Sequence, residues 1–329
     1  MTESTDEASS APGWSPEWAM PNLTLKESIE ASHAALVNSD DERLRSIARR
    51  RPAVETFLSA FRDEFGTQVS PTIAMVREDA PPGVRTVTAL GGFRDAVCVS
   101  AIVAGHGLGR KSKSGGIIHS DAFDVYPWFP SPRLEGRIGA ITPALVGIHD
   151  VERLRPQPAP ALGRRSLSKW EIDQPLLGAM LARWKHCFVD GEDSVEDRRL
   201  FRALEMARAA SKMPGGSDAT EYDAGRAVAL WVSAFEILAH DGNRTDFRRV
   251  LSLLGRVQCL KPSLKVQDRQ VKIRKGEAPI QTNLAGVICE RLYRARNDFL
   301  HGTSKPWRPT SRSVWERCSI STMSCCCMM

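Results

Sequence analysis

Near the end of the chain, residues 284–302 carry a clear periodic pattern of apolar and polar positions. Apolar residues return every three or four positions, at Leu284, Ile288, Leu292, Ala295 and Phe299. This spacing predicts an amphipathic helix whose core-facing side carries those five residues. At about 100° per residue, a second side carries polar residues only, namely Glu290, Arg294, Asn297 and His301. Gly302 is expected to end the helix, and Arg296 lies between its two sides.

Four more segments in this part of the chain have helical spacing and recognisable ends. They are Asp173–Val189, Ser194–Lys212, Tyr222–His240 and Thr245–Leu260. The second begins with Ser194-x-x-Asp197, a variant of the capping box in which side chains accept hydrogen bonds from the free amides of the first turn. Five helices joined mostly by short turns predict an antiparallel bundle over residues 166–305.

The preceding residues, 23–165, are expected to form an α/β region with a few short strands. Helices are predicted at Leu25–Val37, Asp41–Arg50, Ala53–Phe65 and Val87–Ala104, and a strand at Thr72–Arg77. Residues 1–22 are polar, acidic and dotted with proline, which predicts a disordered leader. Residues 306–329 predict an irregular tail. The expected fold class is therefore mostly α, with an N-terminal α/β region before a C-terminal helical bundle.

Charge and hydropathy narrow the range of partners. The 329 residues include 45 Lys and Arg against 39 Asp and Glu, a net charge of +6. This mild excess permits an anionic partner such as RNA without requiring one. No apolar run in the sequence approaches the roughly 20 residues of a membrane-spanning helix, and the N-terminus has no apolar core of a secretory signal. We therefore expect a cytoplasmic protein that does not bind membranes.

The cysteines give no indication of a metal site. Four of the eight lie singly within apolar segments, where a cysteine acts as a small buried hydrophobe: Cys98, Cys187, Cys259 and Cys289. None forms a C-x-x-C pair, and no histidine cluster has zinc-site spacing. Three adjacent thiols at residues 325–327 leave metal or redox capture by the tail as an alternative. The expectation is that no metal or cofactor is needed.

One sequence motif suggests a family. Arg-Asn-x-x-x-His followed by Gly, at the end of an apolar helix, resembles the Arg-x4-6-His signature of the HEPN superfamily; here it covers Arg296, Asn297 and His301. Further segments resemble the Apea-like branch of that superfamily, in the same order along the chain. They are Phe93–Ser100, Asp124–Trp128, Leu200–Ala210 and the run from Tyr222-Asp223-x-Gly225 to Leu238.

The resemblance implies an activity and an assembly. In HEPN ribonucleases the signature residues of two subunits face each other across a symmetric dimer. The implied protein is a homodimer through the last helix, with Arg296, Asn297 and His301 as catalytic residues of a metal-independent endoribonuclease in a defence or toxin-type system. An imidazole can transfer protons near neutral pH, and a guanidinium can bind phosphate oxygens and offset developing charge.

Glu236 supports a second interpretation. It interrupts an otherwise apolar helical stretch, Ala227–Ala239, in which Ser233 is the only other polar residue. A buried carboxylate needs a partner, and Arg296 is a sensible candidate for that partner. If the pair is structural, Arg296 acts as a clasp within the bundle. The protein would then be a non-catalytic module that binds RNA or another protein, and an arginine with five donors could also serve both roles.

Overall fold

The structure is a computed structural model of the chain, and it forms two compact units. Unit 1 comprises Met1–Leu90 and Val125–Ser166, and unit 2 comprises Gly91–Asp124 and Leu167–Met329. The division after Ser166 lies next to the expected boundary at residue 165, whereas residues 91–124 group with unit 2 and not with the N-terminal region. The described residues are 13–63, 65–109, 118–131, 133–140, 148–154, 166–192, 194–212, 220–240, 242, 246–256, 266, 268–273 and 276–302. Residues 1–12 of the leader and the tail 306–329 lie outside them.

Unit 1 contains a four-stranded antiparallel sheet in the order β1-β5-β4-β3, two helices and a three-stranded meander of β6, β7 and β8. Its strands are β1 Trp14–Met20, β2 Thr24–Leu25, β3 Ile29–Glu30, β4 Ala34–Val37, β5 Thr72–Arg77, β6 Trp128–Pro130, β7 Arg137–Ala140 and β8 Ile148–Asp150. Its helices are α1 Glu42–Arg50 and α2 Pro52–Ser59.

Two predictions for this unit are wrong. The disordered leader of residues 1–22 includes β1, which pairs with β5 from Trp14↔Arg77 to Met20↔Thr72. Residues 25–37, predicted to form a helix, instead contribute to the strands β2, β3 and β4. The four residues of β4 are all buried because this strand lies between β3 and β5. A short apolar run fits a buried strand as well as a helix, and periodicity alone cannot separate them.

The other elements of unit 1 follow the sequence more closely. β5 has the predicted bounds Thr72–Arg77, and α1 begins where Asp41 accepts a hydrogen bond from the amide of Arg43. α2 ends at Ser59, six residues before the predicted end. The unit's core gathers apolar side chains from the sheet, both helices and the meander: Val37, Leu44, Ile47, Val54, Phe57, Phe61, Ile73, Met75, Phe129 and Ile138.

Unit 2 is mainly helical. Its helices are α4 Gln174–Trp184, α5 Val195–Ala210, α6 Glu221–Ala239, α7 Phe247–Arg256 and α8 Leu284–His301. Helix α3, Val87–Gly109, begins in unit 1, and its residues from 91 onward are part of unit 2. A π-helical turn, Lys185–Val189, follows α4. The remaining strands are β9 Ser166–Leu167 and the antiparallel pair β10 Arg269–Val271 and β11 Ile280–Thr282.

α3 corrects one statement about hydropathy. Its stretch Val87–Gly105 reaches the length and mean hydropathy of a membrane span, so the expectation that no apolar run approaches that length is wrong. Within the structure 72% of that stretch is buried. Its Phe93 ring lies 5.7 Å from the Trp184 ring of α4, and Gly92 lies against the Phe201 ring of α5. α3 is packed as a buried helix, as its pattern predicts.

The helices α5–α8 pack together, with α6 in contact with each of the other three. The core that α6, α7, β10 and α8 share contains Phe235, Phe247, Val250, Leu251, Leu254, Val271, Ala285 and Cys289. Phe299 at the end of α8 lies against Gly225 near the start of α6. The predicted fold class, an N-terminal α/β region with strands before a C-terminal set of packed helices, is confirmed.

Candidate functional site

The last helix, α8, is fixed at both ends by side-chain and backbone caps. The side-chain oxygen of Asn283 accepts a hydrogen bond from the Gly286 backbone amide at 2.9 Å. The side-chain nitrogen of Asn283 donates to the Leu254 carbonyl at 3.1 Å. At the other end Gly302 adopts a left-handed conformation, φ 59°, and its amide donates to the Asp298 carbonyl. Only glycine takes that conformation readily. The helix therefore ends as the sequence predicts, directly after His301.

The rotation of α8 about its axis differs from the prediction. Its buried residues are Ala285, Gly286, Cys289 and Glu290. The predicted core stripe of Leu284, Ile288, Leu292, Ala295 and Phe299 is only half-buried. The buried face is therefore turned away from the apolar stripe, toward a side that contains a charged residue. Apolar spacing identified the helix correctly. The side with the most buried residues is not the predicted stripe, although Phe299 of that stripe packs against Gly225 of α6.

Glu290 explains part of this difference. The sequence places it on the outward polar side, but it is 8% exposed. Its carboxylate pairs with the Arg294 guanidinium one turn later, and that guanidinium also donates to the Lys272 carbonyl at 2.9 Å. A charged group is tolerated in such a position when it is paired. The sequence alone did not show that pairing with Arg294 would let Glu290 be buried.

Arg296 lies on the buried side of α8 with 24% of its side chain exposed. Its Nη2 is 3.6 Å from Glu236 Oε2, and its Nη1 is 3.5 Å from Asn297 Oδ1. The first distance is that of an ion pair, too long for a good hydrogen bond. The Tyr293 ring centroid is 6.0 Å from the guanidinium carbon. Nε is buried and has no hydrogen-bond partner among the described residues.

The sequence-based pairing of Glu236 with Arg296 is therefore present. Glu236 is less buried than expected, however, since 21% of its side chain remains exposed. Its charge and that of Glu290 both act on Cys289, but burial is the main reason why the pKa of that thiol is raised to about 12. A thiol with such a pKa stays protonated near neutral pH, so Cys289 is a structural residue here and no nucleophile.

The other two predicted site residues, Asn297 and His301, differ in exposure. Asn297 is half-buried beside Arg296, and His301 is exposed at the last position of the helix. His301 lies five positions after Arg296, which corresponds to a rotation of about 140° around the helix axis. Within one chain, the structure brings Arg296 together with Asn297 and Glu236. It does not bring Arg296 and His301 onto one face.

An aromatic contact beside this helix end was not predicted. The ring of Phe299 meets the ring of Tyr222 at 5.8 Å between centroids, with the planes at 79°. Tyr222 lies in the first turn of α6 and is 77% exposed. Gly225 makes the contact feasible, since an ideal Cβ there would lie 2.3 Å from the Phe299 ring. The one sequence signal for this contact was Gly225, which follows Tyr222 by three residues and leaves room for a ring.

A second polar cluster, away from the signature, was also missed. Asp197 is fully buried and binds three side chains: Arg183 Nε at 2.5 Å, His186 Nδ1 at 2.9 Å and Ser194 Oγ at 2.8 Å. The other ring nitrogen of His186 lies 2.8 Å from Glu192 Oε2. The hydrogen bond to Asp197 is the main reason why the pKa of His186 is raised. The capping box at Ser194 indicated part of this arrangement.

Within the described part of the chain, no group of three or more His, Cys, Asp and Glu side chains is arranged to hold a metal ion. Comparison with known proteins finds no matching family model, no matching curated protein and no matching solved structure.

Proposed function

We propose that the protein is a metal-independent endoribonuclease that acts as a homodimer through α8. Arg296 of each chain would bind the reacting phosphate, His301 would transfer protons, and Asn297 would help to orient the phosphate or the imidazole. A defence or toxin-type role is part of the proposal, since it comes with the resemblance to HEPN ribonucleases.

The state of the Arg296 guanidinium carries this proposal. A guanidinium offers five donor hydrogens, and among the described residues the polar contacts of Arg296 are one ion pair at 3.6 Å and one marginal contact at 3.5 Å. It therefore retains donor hydrogens for a phosphate, while the ion pair with Glu236 limits where the guanidinium can point. Arginine often binds phosphate through two parallel N–H···O hydrogen bonds, which need two free donors in the plane of the guanidinium.

The separation of Arg296 and His301 around the helix supports a dimeric site. One chain presents them about 140° apart, so a substrate could reach both groups more readily when a second chain supplies one of them. In the reaction, the 2′-hydroxyl of RNA loses its proton to a base and attacks the adjacent phosphorus. The 5′-oxygen leaves with a proton from an acid, giving a 2′,3′-cyclic phosphate and a 5′-hydroxyl. Two imidazoles from two chains can serve as base and acid.

The test is cleavage of labelled single-stranded RNA by purified protein in the presence of a chelator. His301→Ala should lower the cleavage rate by roughly 10²–10⁴-fold if the imidazole transfers protons, with little change in thermal stability because the side chain is exposed. His149→Ala is the matched control, since His149 is an exposed histidine in unit 1. Equal rates for His301→Ala and the wild type would exclude the catalytic role.

The Arg296–Glu236 pair favours a second candidate function. If its main role is to join α6 and α8, the protein is a non-catalytic module that binds RNA or a protein. Arg296→Lys distinguishes the two, because lysine keeps the charge but cannot bind a phosphate with two parallel bonds. An endoribonuclease should lose most of its cleavage with the fold intact. A non-catalytic module should show no chelator-resistant cleavage in any variant.

A further inference from the structure

We infer that Tyr222 stacks on a nucleobase of single-stranded RNA and so positions a nucleotide that flanks the cleaved phosphodiester. The inference rests on the proposed function, because it takes RNA as the ligand of α8. It assigns a binding residue outside the Arg296–His301 signature. The ligand class is a strand with unpaired bases.

Exposure is the first reason. Tyr222 is 77% exposed, although tyrosine is a large residue that usually buries most of its ring. Its recorded ring contact is with Phe299, at 79° between the planes. An edge-to-face contact of this kind covers little of the ring surface. The Tyr222 ring therefore keeps area for a flat partner, and every nucleobase has a flat π-face.

Rigidity is the second reason. Thr220 and Asp223 form a capping box around the first turn of α6, in which the Tyr222 amide donates to Thr220 Oγ1 at 3.2 Å. The Phe299 ring lies against Gly225 and braces the tyrosine from α8. An aromatic side chain held on two helices loses little freedom when a base stacks on it, so more of the stacking energy appears as affinity.

Position is the third reason. Phe299 follows Arg296 by three residues on α8, a rise of about 4.5 Å, and the two side chains leave the helix about 60° apart. The tyrosine, which meets Phe299, thus lies on the side of α8 that carries Arg296, the proposed phosphate-binding group. A duplex keeps its bases stacked inside, so only single-stranded RNA, a loop or a bulge can offer a base to this ring.

The experiment measures binding without cleavage. The probe is a short fluorescent oligoribonucleotide whose 2′-hydroxyls are methylated, which removes the attacking group. By fluorescence anisotropy, Tyr222→Ala should weaken binding roughly 5- to 150-fold, as removal of one stacking aromatic residue does. Tyr222→Phe should bind like the wild type, and Tyr222→Leu should bind weakly, because the aromatic face rather than bulk is required. A duplex of the same sequence should bind weakly to all variants.

Trp170 provides the matched control. It is another large exposed aromatic residue of unit 2, 64% exposed, and Trp170→Ala should leave the affinity unchanged. A second measurement replaces each nucleotide of the probe in turn with an abasic one. At one position the abasic change should weaken binding to the wild type but not to Tyr222→Ala. That coupling identifies the stacked base and does not depend on the stability of the variant.

The outcomes separate this inference from the proposed function. If RNA is cleaved but Tyr222→Ala binds the probe like the wild type, the stacking role is wrong and the nuclease remains. If no RNA is cleaved but the abasic coupling is present, the stacking role stands and the catalytic proposal fails. Loss of dimer mass in Tyr222→Ala without abasic coupling would show a subunit contact instead. A wild-type protein that does not bind the probe would overturn both.

Discussion

The pairing of Arg296 with Glu236 is the residue-scale feature on which the candidate site depends. Arg296 Nη2 lies 3.6 Å from Glu236 Oε2, and each side chain is about one-fifth exposed. Breaking a fully buried pair typically costs 3–5 kcal/mol, whereas a surface pair contributes at most about 1 kcal/mol. The measured cost should lie between these limits, because solvent reaches both partners.

We therefore predict that Glu236→Ala lowers the free energy of unfolding by about 1–2 kcal/mol, measured by urea denaturation. Glu205→Ala, at an exposed glutamate of α5, should change it by less than about 0.5 kcal/mol. A double-mutant cycle with Arg296→Ala should show coupling between the two positions. Equal stability of Glu236→Ala and the wild type would show that the pair does not hold α6 to α8.

At the scale of elements, α6 and α8 approach each other through a glycine. Gly225 has Phe299 ring atoms at 2.3 Å from the place where a Cβ would lie. Gly178 on the exposed side of α4 has nothing within 4 Å of its corresponding position. Both glycines are inside helices, so the gain in helix propensity from alanine is similar at the two sites. They differ only in whether the methyl group has room.

Gly178→Ala is predicted to raise the free energy of unfolding by about 0.5–1 kcal/mol, because alanine favours the helix. Gly225→Ala should lower it by about 1–2 kcal/mol, since the displaced ring costs more than the propensity gain. Chemical denaturation of both variants provides the comparison. A Gly225→Ala protein as stable as Gly178→Ala would mean that the Phe299 ring does not pack against α6.

The π-helical turn Lys185–Val189 and the start of α5 are joined by His186. Both ring nitrogens lie within 3 Å of carboxylate oxygens, Nδ1 near Asp197 and Nε2 near Glu192. Only the protonated imidazole can donate from both nitrogens. Arg183 and Ser194 also face Asp197, so they compensate part of its charge whatever the state of the histidine.

The raised pKa of His186 sets the direction of a pH effect. A group whose pKa is higher in the folded state contributes its full stability below the unfolded value, about 6.5, and loses it as pH rises through the folded pKa. His186→Ala should therefore destabilise the protein more at pH 6 than at pH 8–9, by the difference between two urea curves. Val189→Ala, in the same turn without a titratable group, should cost the same at every pH. A constant cost for His186→Ala would contradict the doubly bonded imidazolium.

The sequence predicted elements best where local signals mark their ends. The Ser194 cap, the Gly302 stop and the strand Thr72–Arg77 all have clear signals within a few residues, and all are present. Residues 25–37 were misassigned because the burial of β4 depends on β5, which lies more than thirty residues later along the chain. The face that α8 buries was misassigned for a similar reason. It depends on where α6 and α7 pack, which no local pattern contains.

At the scale of the whole molecule, the half-buried apolar side of α8 is the surface that the proposed dimer would use. Leu284, Ile288 and Leu292 lie along it at helical spacing, each incompletely covered within the chain. The fully buried side, with Ala285 and Cys289, already packs into the shared core of unit 2. The proposed dimer would place this partly open apolar side, next to the signature residues, against a second copy.

If the proposed dimer forms through this side, Leu292→Glu should convert it to a monomer, because a carboxylate at a subunit contact must be desolvated without a partner. The measurement is mass by light scattering during gel filtration, with the RNA-cleavage rate followed on the same fractions. The monomer should lose cleavage, since the proposed site takes residues from both chains. Val195→Glu makes the same change at an exposed valine in the first turn of α5 and should alter neither mass nor rate. Cleavage at the wild-type rate by a monomeric Leu292→Glu protein would show that one chain holds the complete site, against the separation of Arg296 and His301 around α8.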